Sequence, residues 1–139
     1  MKVFMDTNVL IDFITRREGV EEARKILQMG ENGTIELCAS VLSMINTAYI
    51  AHKGRTKEKL YEELFALSRI IRVLPMDEGQ WLQALHQQAR DLEDALQYQC
   101  AVSAGCDCIV TRNTRDFGFA QVALYTPQQL LAVAAGGVV

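Results

Sequence analysis

The apolar run Val3-Phe4-Met5 stops abruptly at Asp6, and Asp6-Thr7-Asn8-Val9-Leu10-Ile11-Asp12 follows at once. A short, wholly apolar segment of this kind reads as a strand buried on both faces, the character of a parallel sheet covered by helices. Open sheets of that type take up ligands in the crevice beyond the carboxyl ends of their strands. A carboxylate held at such a strand end is poorly solvated unless a positive group joins it. Asp6 is therefore the first candidate for chemistry.

The rest of the chain repeats the alternation. Residues 2–5 predict the first strand and residues 7–14 a helix entered from Asp6 or Thr7 as its cap. Residues 18–29 predict a second helix, with Val20, Ala23, Ile26 and Leu27 on one face. Residues 34–39 predict a second strand, after which Ser40 caps a helix running from Val41 toward Lys53. Leu60, Leu64, Leu67 and Ile71 recur at helical spacing over residues 57–71, and Tyr61 and Phe65 give this helix a second apolar face that suits a dimer. A third strand at 72–74 is closed by Pro75, and two nearly continuous helices follow at about 78–90 and 92–104. Strands at 108–111 and 122–125 precede a final helix with Pro127 in its first turn, and the tail 136–139 is expected to fray. The pattern predicts an α/β fold with a mostly parallel sheet of about five strands. Without a repeat or linker, residues 1–135 read as one domain.

Half of the residues are hydrophobic and 22% are charged, which excludes a disordered chain. The net charge of −3 argues against a protein wholly dedicated to nucleic acid, yet leaves room for a local basic rim at Arg16-Arg17, at Lys53 with Arg55 and Lys57, or at Arg112 with Arg115. Asp6 and Asp12 interrupt the apolar start, so no secretion signal is expected, and no segment approaches the roughly 18 apolar residues of a membrane span. A cytoplasmic location follows as an expectation. Cys38, Cys100, Cys106 and Cys108 read as reduced core residues, since Cys106-Asp107-Cys108 lacks a second ligand pair at zinc spacing. His52 and His86 have no evident partner, Ser40 and Ser43 fit no triad, and Trp81 with Leu82 and Leu85 reads as core or dimer packing.

Three acids stand where this architecture can gather them. Asp6 ends the first strand, Asp94 lies on the helix before the fourth, and Asp116 lies just beyond the fourth. Gathered carboxylates repel and take up protons unless a cation neutralises them, and hard oxygen ligands suit Mg²⁺ or Mn²⁺. Such an ion polarises a phosphodiester oxygen and acidifies water, so hydrolysis of phosphodiesters is the chemistry this pattern serves. Asp6 would be the central ligand, Asp94 the second, and Asp116 a ligand or the group that orients the water. Asp12 fits a helix-surface acid and a supporting role equally, and Asp91 and Glu93 read as solvated helix acids.

Three segments carry a resemblance: Met5-Asp6-Thr7-Asn8-Val9-Leu10-Ile11-Asp12, then Asp91-Leu92-Glu93-Asp94-Ala95-Leu96-Gln97, then Ile109-Val110-Thr111-Arg112-Asn113-Thr114-Arg115-Asp116-Phe117. In this order and spacing the chain resembles a PIN domain of the kind found in VapC-type toxins of bacterial toxin–antitoxin pairs. The resemblance implies a three-layer α/β/α sandwich, Mg²⁺ or Mn²⁺ at the acids, RNA as substrate, a homodimer, and a small antitoxin as partner. One departure stands out. Such nucleases usually carry a Glu on the helix after the second strand, where this chain offers Asn46, and a further acidic place after Thr111-Arg112 holds Asn113. An Asn carbonyl can ligate Mg²⁺ but brings no charge, which weakens a divalent site. Asn46, Asn113, Thr111 and Asp12 are thus supporting candidates, and Arg16, Arg17, Arg112 and Arg115 candidate RNA contacts. The competing expectation is a PIN-fold RNA-binding or partner-binding module whose catalysis has weakened. An aspartyl-phosphate protein fits poorly, because Asn8 stands where a phosphatase of that kind wants a second Asp.

Overall fold

The apolar segments become strands at Lys2–Met5 (β1), Glu36–Ser40 (β2), Ile71–Leu74 (β3), Cys108–Val110 (β4) and Ala123–Tyr125 (β5) in the computed structural model, which describes residues 1–136. All neighbouring pairs are parallel, in the order β3-β2-β1-β4-β5. The helices are Thr7–Ile14 (α1), Val20–Glu31 (α2), Val41–Ala51 (α3), Lys57–Ile70 (α4), Glu78–Gln87 (α5), Leu92–Ser103 (α6) and Pro127–Ala134 (α7), with a 3₁₀ turn at Thr114–Phe117. The chain starts at the sheet's centre, winds outward through β2 to β3, then returns to β4 on the other side of β1. The strand order therefore reverses between β1 and β4, and the crevice of such a sheet opens at that reversal.

Side chains alternate across the central strand. Val3 and Met5 join one core with Leu37, Ala39, Cys108 and Val110, packed under α1, α2, α3, α4 and α7. Phe4 joins the other core with Cys38, Ile109 and Phe117, packed under α6. The result is helix, sheet, helix in three layers, as the resemblance implied. Each large apolar side chain buried this way contributes about 1.5–3 kcal/mol. Gly30 marks how closely α2 lies on β2, since a Cβ there would fall 2.5 Å from the Leu37 side chain.

Several boundaries differ from the sequence expectation for definable reasons. Helix α2 begins at Val20 rather than near 18 because Gly19 takes a left-handed conformation, φ 96°, as its N-cap. Helix α3 ends at Ala51, before Lys53, and Arg55 reaches back to donate to the freed Ala51 carbonyl at 2.9 Å. The helices expected to be nearly continuous are separate. Gln88 turns left-handed (φ 50°) to stop α5, and the Asp91 carboxylate starts α6 by accepting from Asp94 N at 3.1 Å. Trp81, Leu82 and Leu85 do not join the core: each is more than 40% exposed. All four cysteines are buried and free, as expected. Of the tail expected to fray, residues 137–139 lie outside the described residues. Among the described residues no helix is long and apolar enough to cross a membrane.

Candidate active site

Asp6 ends β1 and caps α1. Its extended backbone (φ −70°, ψ 153°) turns the chain out of the sheet, and Oδ1 accepts from Thr7 N at 2.8 Å. Across the point where the strand order reverses, Thr111 Oγ1 at the end of β4 donates to Asp6 Oδ2 at 2.8 Å. Asn8 Nδ2 donates to the same oxygen at 3.1 Å and to Thr111 Oγ1 at 3.2 Å. Thr111 Oγ1 also accepts from Asn113 N at 3.1 Å. Both carboxylate oxygens are thus held in one orientation, and the side chain is buried.

Electrostatics brings the other acids into the same field. Burial raises the Asp6 carboxyl above its ordinary pKa, the hydrogen bonds from Thr111 and Thr7 oppose the rise, and Asp116 and Asp91 add to it. Asp94, in the first turn of α6, is pushed up to about 7, by burial first and then by Asp91, Asp6, Asp116 and Glu93. Glu93 is raised as well, by partial burial and then by Asp91 and Asp6. No Lys, Arg or His is among the groups setting these three shifts. An uncompensated cluster of carboxylates is the environment in which a divalent cation is most favourable.

The donor set fits such an ion in an open form. Among the described residues no three His, Cys, Asp or Glu side chains stand close enough to enclose one ion unaided. Mg²⁺ commonly needs only one or two carboxylates, keeping waters and substrate phosphates as its remaining ligands. Asp6 and Asp94, whose carboxyl feels the Asp6 charge, are the candidates for that minimum. Asp116 is exposed on the 3₁₀ turn and acts on both through its charge.

The remaining candidates are placed as follows. Asn46 is half-buried on α3, three residues after Ser43, a spacing that keeps the two on one helix face. Asn113 is exposed and joins the site through its backbone bond to Thr111. Asp12 is not a surface acid: it is 3% exposed, and its Oδ2 lies 2.7 Å from Arg112 Nε. Arg112, a candidate RNA contact from the sequence, is thereby tied to α1. Arg16, at φ 54°, lines a groove of about 610 Å³ between α2 and α4, while Arg17 and Arg115 are exposed.

Two features escaped the sequence reading. Asp91 and Glu93 add to the field at Asp6 and Asp94 rather than facing solvent alone, and the signal was the density of acid in Asp91-Leu92-Glu93-Asp94. The second is a buried polar knot beneath the acids. Ser40 Oγ donates to Gln97 Oε1 at 2.6 Å, Gln97 Nε2 donates to Ser43 Oγ at 2.9 Å, and Thr7 and Ser43 hydroxyls bond at 2.7 Å. Gln97, Ser40 and Ser43 are wholly buried, so this knot ties α1, α3 and α6 together at the strand ends. Polar residues interrupting otherwise apolar helix faces were its only trace in the sequence.

A parallel sheet whose strand order reverses beside a cluster of acids puts the candidate site in the crevice where sheets of this kind take up ligands. The PIN domain family matches residues 2–115, and the chain belongs to that family. Ribonuclease VapC1 of Aquifex aeolicus is 25% identical over 134 residues, covering 92% of each chain. A toxin–antitoxin complex from Klebsiella pneumoniae has a chain similar over 90% of this one and 97% of its own length, at 23% identity and a TM-score of 0.67. VapBC2 from Rickettsia felis, bound to a DNA fragment from its promoter, is similar over 91% of this chain and 98% of that one, at 16% identity and a TM-score of 0.69.

Proposed function

We propose that this chain, residues 1–135 acting as one domain, is a divalent-metal-dependent endoribonuclease of cytoplasmic RNA and the toxin member of a toxin–antitoxin pair. The observation that supports the reading is the set of carboxyls around Asp6, raised by burial and then by one another, with no Lys, Arg or His among the groups acting on them. The name of the Aquifex relative supports RNA as substrate, and the toxin–antitoxin neighbours support a small protein partner. Exposed Ile45 and Tyr49 on α3 and Tyr61 and Phe65 on α4 supply apolar surface for an antitoxin or a second copy.

Asp6 and Asp94 would hold Mg²⁺ or Mn²⁺, with Asp116, Asn46 and Asn113 reaching it directly or through water. When bound, the ion supplies Lewis acidity toward a phosphodiester oxygen and acidifies the attacking water. Thr111 and Asn8 keep the Asp6 carboxylate from rotating away. Without the ion, burial and the neighbouring acids push the Asp94 carboxyl up to about 7, and beside a bound cation it would return to the charged form that ligates. Asp116, exposed and acting on both through its charge, would orient water, and exposed Arg17 and Arg115 would meet backbone phosphates.

The test is cleavage of end-labelled RNAs by purified protein in Mn²⁺, Mg²⁺ or EDTA, with Asp6→Asn and Asp94→Asn alongside. Metal-dependent cuts that vanish in both variants are expected. Undiminished cutting by the variants would assign the activity to a contaminant or another site. A second reading, a binding module of weakened catalysis, is favoured by Asn46 and Asn113 and by the absence of a closed three-acid group among the described residues. RNA retention without cleavage, converted to cleavage by Asn46→Glu, would establish that reading.

A further inference from the structure

The Asp12–Arg112 pair stands beside the acids without being explained by them. Asp12 lies on α1 one turn beyond Asn8, and both residues grip the same position in the segment after β4. Asn8 Oδ1 accepts from the Arg112 backbone N at 3.3 Å, and Asp12 Oδ2 takes the side chain at Nε, 2.7 Å away. The Asp12 side chain is only 4% exposed, whereas that of Arg112 is 45% exposed. The pair is therefore a nearly buried anion fixing one end of a half-exposed cation. The fold makes room for this arrangement: a Cβ on Gly19 would come within 3.2 Å of Asp12 Oδ2, and Gly19 sits at φ 96° where side chains are disfavoured. The other charged groups acting on Asp12 are Arg17 and Glu18.

The position of Arg112 gives the pair its meaning. It directly follows Thr111, whose hydroxyl is bonded to Asp6, and it precedes Asp116 by four residues. Because Thr111, the residue before it, is bonded to Asp6, a guanidinium released from Asp12 starts beside the acidic site, and a planar fork of donors is the group best suited to a carboxylate. An arginine in the acidic cluster would neutralise it and compete with a divalent ion for the same oxygens. Arg112 contributes instead to Asp12, and is absent from the groups acting on Asp6 and Asp94.

We propose that Asp12 is a positioning residue that holds Arg112 away from the acidic site, so that the carboxylates stay available to the metal. The inference rests on the functional reading above. It assigns Asp12 a role through Arg112 and gives neither residue contact with the reacting atoms. In the wild type the guanidinium is directed toward α1 and α2, where it borders a cavity of about 470 Å³ lined also by Glu18, Gly19, Thr126 and Gln128.

The experiment is Mn²⁺ titration by calorimetry of the RNA-free protein and of Asp12→Asn, Arg112→Gln and the double variant, with a thermal melt of each to confirm folding. Asp12→Asn should weaken Mn²⁺ binding about tenfold, the scale of outer-sphere effects on metal affinity. Adding Arg112→Gln to that variant should recover most of the loss, because the released competitor is gone. Arg112→Gln alone should stay within a factor of about three of wild type, and it keeps the proposal testable if Asp12→Asn does not fold. Equal losses in both single variants and the double would mean that the pair merely clamps the loop, and the proposal would fall. A wild-type protein that folds yet binds no Mn²⁺ would overturn the metal-dependent reading itself, and this inference with it.

Discussion

Two polar clusters lie at the same end of the sheet, with Asp94 of one and Gln97 of the other within a single turn of helix α6. The lower one, Thr7, Ser40, Ser43 and Gln97, is neutral and buried, and among the described residues no buried side-chain donor or acceptor lacks a partner. The upper one, Asp6, Asp91, Glu93, Asp94 and Asp116, is acidic, and in it burial and neighbouring charges raise the carboxyls of Asp6, Glu93 and Asp94. A satisfied network rigidifies what it joins, while an unsatisfied field of like charge destabilises the fold unless something binds it. The contrast separates a neutral layer joining α1, α3 and α6 from an acidic one at the end of β1, the start of α6 and the 3₁₀ turn.

The sharpest way to break the contrast is to remove one charge from the upper layer. Asp6→Asn should lower RNA cleavage by about a thousandfold, the scale of the several kcal/mol that a Lewis-acidic ion supplies. Its urea midpoint at neutral pH should change little, since the loss of a buried, repelled charge is offset by an amide group that cannot accept from Thr111 and Asn8, while the cap acceptor remains. The converse substitution is Gln97→Ala in the lower layer, which strands Ser40, Ser43 and Thr7 hydroxyls and should destabilise folding by about 2–4 kcal/mol in urea unfolding.

Asn46→Glu asks whether α3 belongs to the upper layer. One added carboxylate should tighten Mn²⁺ binding by about tenfold in calorimetry if it faces the ion, and leave it unchanged if it does not. The smallest effect is on pH. A carboxyl whose folded pKa lies above its unfolded value holds more protons folded than unfolded, so raising the pH destabilises the fold across that interval. For Asp94 the interval runs from its ordinary 3.8 to about 7. Thermal melts in EDTA should therefore decline in Tm over that range. Asp94→Asn should flatten the decline, and Mn²⁺ should restore most stability at the alkaline end.

Much of this was legible in the sequence, and what was not has a common cause. Helix α1, helix α4 and the strands followed from periodicity and caps, because Asp6, Ser40, Thr126 and Pro127 act locally. The family resemblance was legible from three short segments around Asp6, Asp94 and Thr111. The Gln88 break between α5 and α6 was not, because a left-handed Gln has no compositional signature. Nor was the Asp12–Arg112 pair, which joins residues that only the sheet order brings together. Long-range partners of polar residues are set by topology, and a linear pattern does not display topology.

The hydrogen bond from Thr111 to Asp6 spans 105 residues of chain. During synthesis the N-terminal half emerges first, and β1 can pair with β2 long before β4 exists. A ribosome-bound chain that stops short of Cys108 has Asp6 without the Thr111 clamp, and lacks both β4 and the turn that carries Asp116. The acidic site is consequently a late product of translation, and premature release yields fragments that hold part of the charge and none of the finished cleft.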